Sequence, residues 1–298
     1  MPTAPHSGYI GRFAPSPSGP LHFGSLIAAV GSYLRARSQQ GQWLVRMEDL
    51  DPPREIAGAA DDILRTLEHY GLYWDDTVLY QSQCHDRYEQ HLSELLQHGE
   101  GYYCQCTRKR IKSIGGLYDG HCRTLALPAD GCAIRLHNRI GIDHFVDGLL
   151  GPIQTDVAFA REDFILKRRD GLYAYQLAVV LDDHAQRITE VVRGNDLLEA
   201  TVRQLSLFQQ LGWSAPAFLH LPLAVQADGN KLSKQNHAPA LSATELSSNL
   251  ALALAFLGHP APSELQRAPV NEQLEWAVTQ FQVDQLPQQR QILAPKAG

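Results

Sequence analysis

No apolar run in the 298 residues is long enough to span a bilayer. The opening Met1-Pro-Thr-Ala-Pro-His6 has neither the charged nor the hydrophobic part of a secretory signal, so export is not expected. Cysteine is scarce. The five present, at 84, 104, 106, 122 and 132, are an odd number without a disulfide-like spread, which suits a reducing cytoplasm. Positive charge is not in excess either: 26 Lys and Arg stand against 32 Asp and Glu, a formal net charge of −6. That argues against nonspecific nucleic-acid binding but leaves room for a local basic face. Two basic clusters exist, Arg108-Lys109-Arg110 with Lys112 and Lys167-Arg168-Arg169, and either alone reads as solvated surface. There is no internal repeat or low-complexity tract. With 44% hydrophobic residues the chain can bury a sizeable core, in one large or two small domains.

What is present begins with a loop. Tyr9, Ile10 and Phe13 read as a strand, and the Pro/Gly-rich run from Pro15 to Pro20 must leave it. From Gly24 the apolar positions Leu26, Val30, Tyr33 and Leu34 fall at helical spacing. The loop therefore delivers His22 and Gly24 to a helix N-terminus, where free N–H groups and the macrodipole attract phosphate. Gly24 carries no side chain to hold a ligand off the backbone, and His22 can donate to a phosphate oxygen. Gly19 to Ser25 nearly spells a Walker A loop, but the lysine of that motif is missing.

Trp43 to Met47 reads as a buried strand running into Glu48-Asp-Leu-Asp51, and Pro52 and Pro53 end it. The carboxylates then lie where a sheet meets a ligand cleft; the plainer reading is an acidic turn. Helices are expected over 57–70 and 86–98, short strands over 133–136 and 143–146, a turn at Asp147-Gly148, and a β-rich run over 188–196. A helix over 197–211 follows, then helix again from Leu241 and near Leu274 to Val278. Cys104, Cys106 and Cys122, with Gly115, Gly116 and Gly120 allowing tight turns between, have the compactness of a structural zinc site. Zinc takes four ligands. His121 is the commoner ligand type and Tyr118 the alternative, whereas Cys84 and Cys132 read as packing residues. The other reading of the cluster is three buried free cysteines.

His22-Phe-Gly-Ser25 and Lys231-Leu-Ser-Lys-Gln235, in this order, resemble the HIGH and KMSKS elements of class I aminoacyl-tRNA synthetases. Further blocks resemble the glutamyl- and glutaminyl-tRNA synthetases: Arg46-Met-Glu-Asp-Leu-Asp51, Asp163-Phe-Ile-Leu, Asp170-Gly-Leu-Tyr-Ala-Tyr-Gln-Leu-Ala-Val-Val-Leu-Asp-Asp183 and Ile188-Thr-Glu-Val-Val-Arg-Gly-Asn-Asp196. The resemblance runs from about residue 8 to about residue 290 and includes the family's C-x-C…Y-x-x-x-C pattern.

It implies an α/β fold: a Rossmann-type catalytic core with a zinc-bearing insertion and a short helical C-terminal region, and without an anticodon-binding domain. The expected divisions are 1–103 and 136–240 for the two halves of the core, 104–135 for the insertion and 241–298 for the helical region. It implies that ATP and L-glutamate form glutamyl-adenylate. His22, Gly24 and Ser25 would then cradle phosphate, while Lys231 and Lys234 close over the pyrophosphate with Mg²⁺ sharing the charge. Arg12, Ser16, Glu48, Tyr175 and Arg193 would bind glutamate, with Glu48 on its amino group; which arginine takes which carboxylate stays open. Tyr118 becomes the fourth ligand of one structural Zn²⁺. Among such synthetases the chain is most similar to the truncated paralogues that place glutamate on queuosine in the anticodon of tRNA(Asp). A short enzyme charging a tRNA 3′ end is the alternative. A cytoplasmic monomer is expected.

Overall fold

The computed structural model describes residues 8–232 and 239–295. Strand β1 (Ile10–Phe13) pairs in parallel with β2 (Gln42–Met47), Ile10 lying opposite Gln42 and Phe13 opposite Val45. Between them runs α1 (Phe23–Ser38), whose Leu26, Val30 and Leu34 are wholly buried. After α2 (Ala59–His69) comes β3 (Leu79–Tyr80), parallel to β2 on its far side. Successive residues of β2 are buried whichever face they point to, as in a parallel sheet covered by helices.

The chain then leaves this sheet. Helix α3 (His85–Gln97) leads to β4 (Gly101–Cys104), α4 (Arg108–Ser113) and β5 (Ala133–Leu136). A hairpin of β6 (His144–Asp147) and β7 (Gly151–Gln154), then α5 (Val157–Arg161), precede β8 (Ile165–Lys167). Strands β4, β5 and β8 form an antiparallel sheet in that order. The insertion expected over 104–135 is rooted in this sheet, which also holds residues on both sides of it.

Helix α6 (Tyr175–Ala185) returns the chain to β9 (Glu190–Gly194), and α7 (Thr201–Gln210) leads to β10 (Ala217–Leu221), parallel to β9. The Thr189 amide donates to the Ile10 carbonyl at 2.9 Å, which sets β9 beside β1. The strand order is thus β10-β9-β1-β2-β3, and the chain turns outward in opposite directions from β1 and β9. In an open parallel sheet a ligand crevice forms at the carboxyl ends of such a pair. Strand β11 (Leu223–Val225) and helices α8 (Leu246–Phe256) and α9 (Val270–Gln280) follow, and β12 (Gln291–Leu293) pairs in parallel with β11. The last two helices complete a core with α1, the first strands and α2. A second core joins α3, β5, β8, α6 and α7. Helix α1 approaches β10 so closely that a Cβ at Gly31 would lie 2.5 Å from Leu221 Cδ1.

Two helix starts differ from expectation. The segment at 197 is part of a 3-10 turn over Asn195–Leu197, and α7 begins at Thr201. Leu241 is extended rather than helical, because its amide donates to the Leu21 carbonyl at 3.0 Å, and α8 begins at Leu246. No helix among the described residues is long and apolar enough to cross a membrane.

Candidate active site and cysteine cluster

The site begins at the start of α1. His22 is the N-cap, with extended backbone, and the Ser25 amide donates to its Nδ1 at 3.3 Å. A neutral ring arranged this way carries its proton on Nε2, away from the helix. Gly24 lies in a tight place: a Cβ there would meet the His22 ring at 3.1 Å and the Leu232 carbonyl at 3.3 Å. The first loop and the approach to the second lysine motif therefore touch. Ala240, on the other side of that motif, bridges to His22. Lys231 reaches Asp196 Oδ2 at 2.5 Å. Lys234 lies outside the described residues.

A cleft of about 710 Å³ opens at the carboxyl ends of β1 and β9. The structure brings to it every sequence-expected core residue that it describes: Arg12, Ser16, His22, Gly24, Ser25, Glu48, Tyr175, Arg193 and Lys231. A second cavity of about 610 Å³ shares Ser16, Glu48 and Tyr175 with it and reaches Arg108 and Arg168, one from each basic cluster. Of the acidic turn, Asp51 lines this second cavity. Asp49 instead takes hydrogen bonds from the Ser82 amide and hydroxyl.

One wall of the cleft is a buried charge network. Arg12 Nε pairs with Asp183 Oδ1 at 3.1 Å, and Arg46 Nη1 reaches the same oxygen at 2.8 Å. Glu48 Oε1 is buried without a hydrogen-bond partner, its nearest cation being Arg46 Nη2 at 3.7 Å. Burial pushes the Glu48 carboxyl up to about 6, against the pull of Arg46 and Arg12. Burial opposes the charge of Asp183 as well, but Arg46 and Arg12 together hold that carboxyl below its usual range.

The other wall is built on Arg193. Its Nη2 donates to Thr201 Oγ1 at 2.8 Å and Gln204 Oε1 at 2.9 Å, its Nε to His220 Nε2 at 3.1 Å. Its Nη1 lies 3.4 Å from the Tyr175 hydroxyl. Among the described residues no carboxylate pairs with it, and burial pulls its pKa down. Arg46, Asp183, His220 and Asp147 were not expected at the site from sequence. The available signal was a charged residue inside an otherwise apolar strand or helix: Arg46 in β2, His220 in β10, Asp183 in α6.

Away from the cleft, the sulfurs of Cys104, Cys106 and Cys122 lie within 4.8 Å of one another, with Cys106 and Cys122 3.4 Å apart. Tetrahedral thiolates on zinc stand roughly 3.8 Å apart, given bonds of about 2.3 Å, so the cluster fits such an ion with little movement. The Tyr118 hydroxyl joins it, accepting from the Cys122 amide at 2.7 Å, and the ring is buried. His121 is exposed. Cys132 is outside the cluster, and Cys84 packs in the second core.

Residues 10–250 match the model of the class I tRNA synthetases (E and Q), catalytic domain. The chain is 58% identical over 288 residues to the glutamyl-Q tRNA(Asp) synthetase of Photobacterium profundum, covering 97% of this chain and 93% of that one. It is 58% identical over 280 residues to the protein of the same name from Escherichia coli, covering 94% and 91%. A solved glutamate tRNA ligase from Elizabethkingia meningosepticum, in complex with its amino acid, superposes with a TM-score of 0.79 at 24% identity, over 96% of this chain and 67% of that one. At that identity the likeness is one of fold.

Proposed function

The chain belongs to the class I tRNA synthetases of the glutamate and glutamine type, and from that premise we propose that it is an ATP-dependent ligase that activates L-glutamate and transfers it to queuosine in the anticodon of tRNA(Asp). The observation that carries the reading is the meeting of His22, Gly24 and Ser25 with Lys231 at one cleft whose walls hold Glu48 and Arg193. The acceptor comes from the relatives, whose shared name goes with 58% identity over nearly the whole of both chains.

The α-carboxylate of glutamate attacks the α-phosphorus of ATP, forming the mixed anhydride and releasing pyrophosphate. A carboxylate is already ionised at neutral pH, so no general base is needed. Catalysis is then alignment and neutralisation of phosphate charge. The N-terminus of α1 with His22 holds one end of the triphosphate; Lys231 and Lys234 cover the other, and Mg²⁺ arriving with ATP shares the charge. Glu48 Oε1 takes the substrate ammonium, and Arg193 takes the side-chain carboxylate with Tyr175 beside it. Arg12, already paired with Asp183, lends field to the same wall rather than a free fork. A buried guanidinium favours a carboxylate over the neutral amide of glutamine.

In the second step a hydroxyl of the acceptor attacks the acyl carbon and AMP leaves. The adjoining cavity has room for a nucleoside, with Arg108 and Arg168 at its edge for phosphates. Cys104, Cys106, Tyr118 and Cys122 would hold one Zn²⁺, which would cross-link the insertion and stand outside the reaction.

The test uses radiolabelled glutamate with three tRNA(Asp) samples: intact and modified, trimmed of its 3′ adenosine, and unmodified. Label that survives trimming and disappears without queuosine is the expected result. Label that follows the 3′ adenosine overturns it and restores 3′-end charging.

A further inference from the structure

We propose that Asp147 and His220 form a buried positioning pair that fixes the guanidinium of Arg193 for the substrate carboxylate, an inference that rests on the reading of Arg193 as the side-chain contact. Arg193 and His220 are register partners in the parallel pair β9–β10. His220 and Asp147 have side chains with no exposure at all. A guanidinium has only donors, so the 3.1 Å contact from Arg193 Nε makes His220 Nε2 an acceptor. The neutral ring must then carry its proton on Nδ1, which donates to Asp147 Oδ2 at 2.6 Å. Burial holds the imidazole neutral by lowering its pKa.

Each partner is itself pinned. Asp147 Oδ1 accepts from the Leu149 and Leu150 amides at 3.0 and 2.9 Å, so the turn of the β6–β7 hairpin aims the carboxylate. The His220 ring lies parallel to Phe218 at 6.1 Å, and Phe145, itself packed on Phe218, meets it edge-on at 6.2 Å. Beside His220, whose Nε2 lies 3.3 Å from Thr201 Oγ1, Thr201 and Gln204 of α7 hold Nη2. The edge left for a ligand is Nη1, beside Tyr175. A free arginine rotates about several bonds. Here a carboxylate sets a tautomer, the tautomer sets an acceptor, and the acceptor sets the fork.

The experiment exploits the tautomer. In Asp147→Asn the new amide can donate to His220 Nδ1, which sends the ring proton to Nε2, against the Arg193 Nε–H. The KM for glutamate in ATP–pyrophosphate exchange should rise about tenfold or more, the usual cost of losing a partner that orients a ligand-holding group. The KM for ATP and the metal content should stay within error. His220→Gln beside an intact Asp147 should lose far less, because a glutamine can turn its oxygen to Arg193 and its NH₂ to the Asp147 carboxylate. A folded Asp147→Asn protein with unchanged glutamate KM overturns the proposal, as does a His220→Gln protein that loses as much as Asp147→Asn. Arg193→Ala, assayed alongside, separates the two levels. If it leaves glutamate KM unchanged, the reading of Arg193 fails and the pair with it. If it raises KM while Asp147→Asn does not, only the pair fails.

Discussion

Arg12 and Arg193 line the same cleft and are both almost wholly buried, yet their charges are balanced in opposite ways. Arg12 shares Asp183 with Arg46, so it meets a counter-ion within the protein. Among the described residues the hydrogen-bond acceptors around Arg193 are all neutral: His220, Thr201, Gln204, the Leu197 carbonyl and the Tyr175 hydroxyl. Burying a cation without a counter-ion is costly, and dipoles recover only part of the lost hydration. The difference teaches how one pocket can be both a scaffold and a receptor. Arg12 has its carboxylate without substrate, whereas on the proposed reading Arg193 would gain one from glutamate.

The largest effect should come from breaking the ion-paired wall. Asp183→Ala strands Arg12 and Arg46, and removing one member of a buried ion pair costs roughly 3–5 kcal/mol. Urea unfolding should show it as a lower midpoint, with or without glutamate. Arg193→Ala should do the reverse, sparing stability in the absence of glutamate while costing about 2–4 kcal/mol in kcat/KM for glutamate, as loss of a buried charged donor does. Exchange kinetics read this directly. If both variants lose stability equally, the contrast between the walls is lost.

A smaller, pH-dependent effect belongs to Glu48. Its carboxyl, raised from 4.5 to about 6, favours the protonated form in the folded protein. The associated stability is therefore full below pH 4.5 and is lost as pH rises through 6, a change of roughly 2 kcal/mol. Ammonium binding needs the ionised form, so KM for glutamate should fall as pH rises through 6 and then level off. Glu48→Gln should abolish that dependence. A KM that is flat from pH 5 to 7.5 in the unaltered protein would remove Glu48 from the amino-group role.

The smallest effect on the cleft should come from the cysteine cluster. Elemental analysis of the unaltered protein should find one zinc, and Cys104→Ser should lose it and loosen the insertion. The KM for glutamate in exchange should change little, because the cluster and the cleft belong to separate cores. Protein purified without added metal that holds no zinc would end the metal assignment.

What the sequence made legible was local. The loop before α1, the acidic turn after β2 and the closely spaced cysteines each lie within a short segment, so spacing made them candidates and the resemblance to the synthetases chose among their readings. Strands β2 and β5 were equally readable, because their apolar residues sit between clear turn signals. The walls of the cleft were not. Arg46 and Asp183 meet across β2 and α6, and Arg193, His220 and Asp147 meet across β9, β10 and the hairpin of β6. Asp147 read only as a turn residue, and it is one: the same oxygen that accepts from the turn belongs to the carboxylate that orients His220. The start of α8 was misplaced for a related reason, since Leu241 is held extended by Leu21, a partner far away in sequence.

The most direct test of the account is ATP–pyrophosphate exchange by the unaltered protein with ATP, Mg²⁺ and glutamate and no RNA of any kind. His22, Glu48, Arg193 and Lys231 already share one cleft in the chain alone. The account therefore predicts exchange with glutamate by itself, and far weaker exchange with glutamine or aspartate. Exchange that appears only when tRNA is added would contradict it, because the glutamate site would then be assembled by the RNA rather than by these residues.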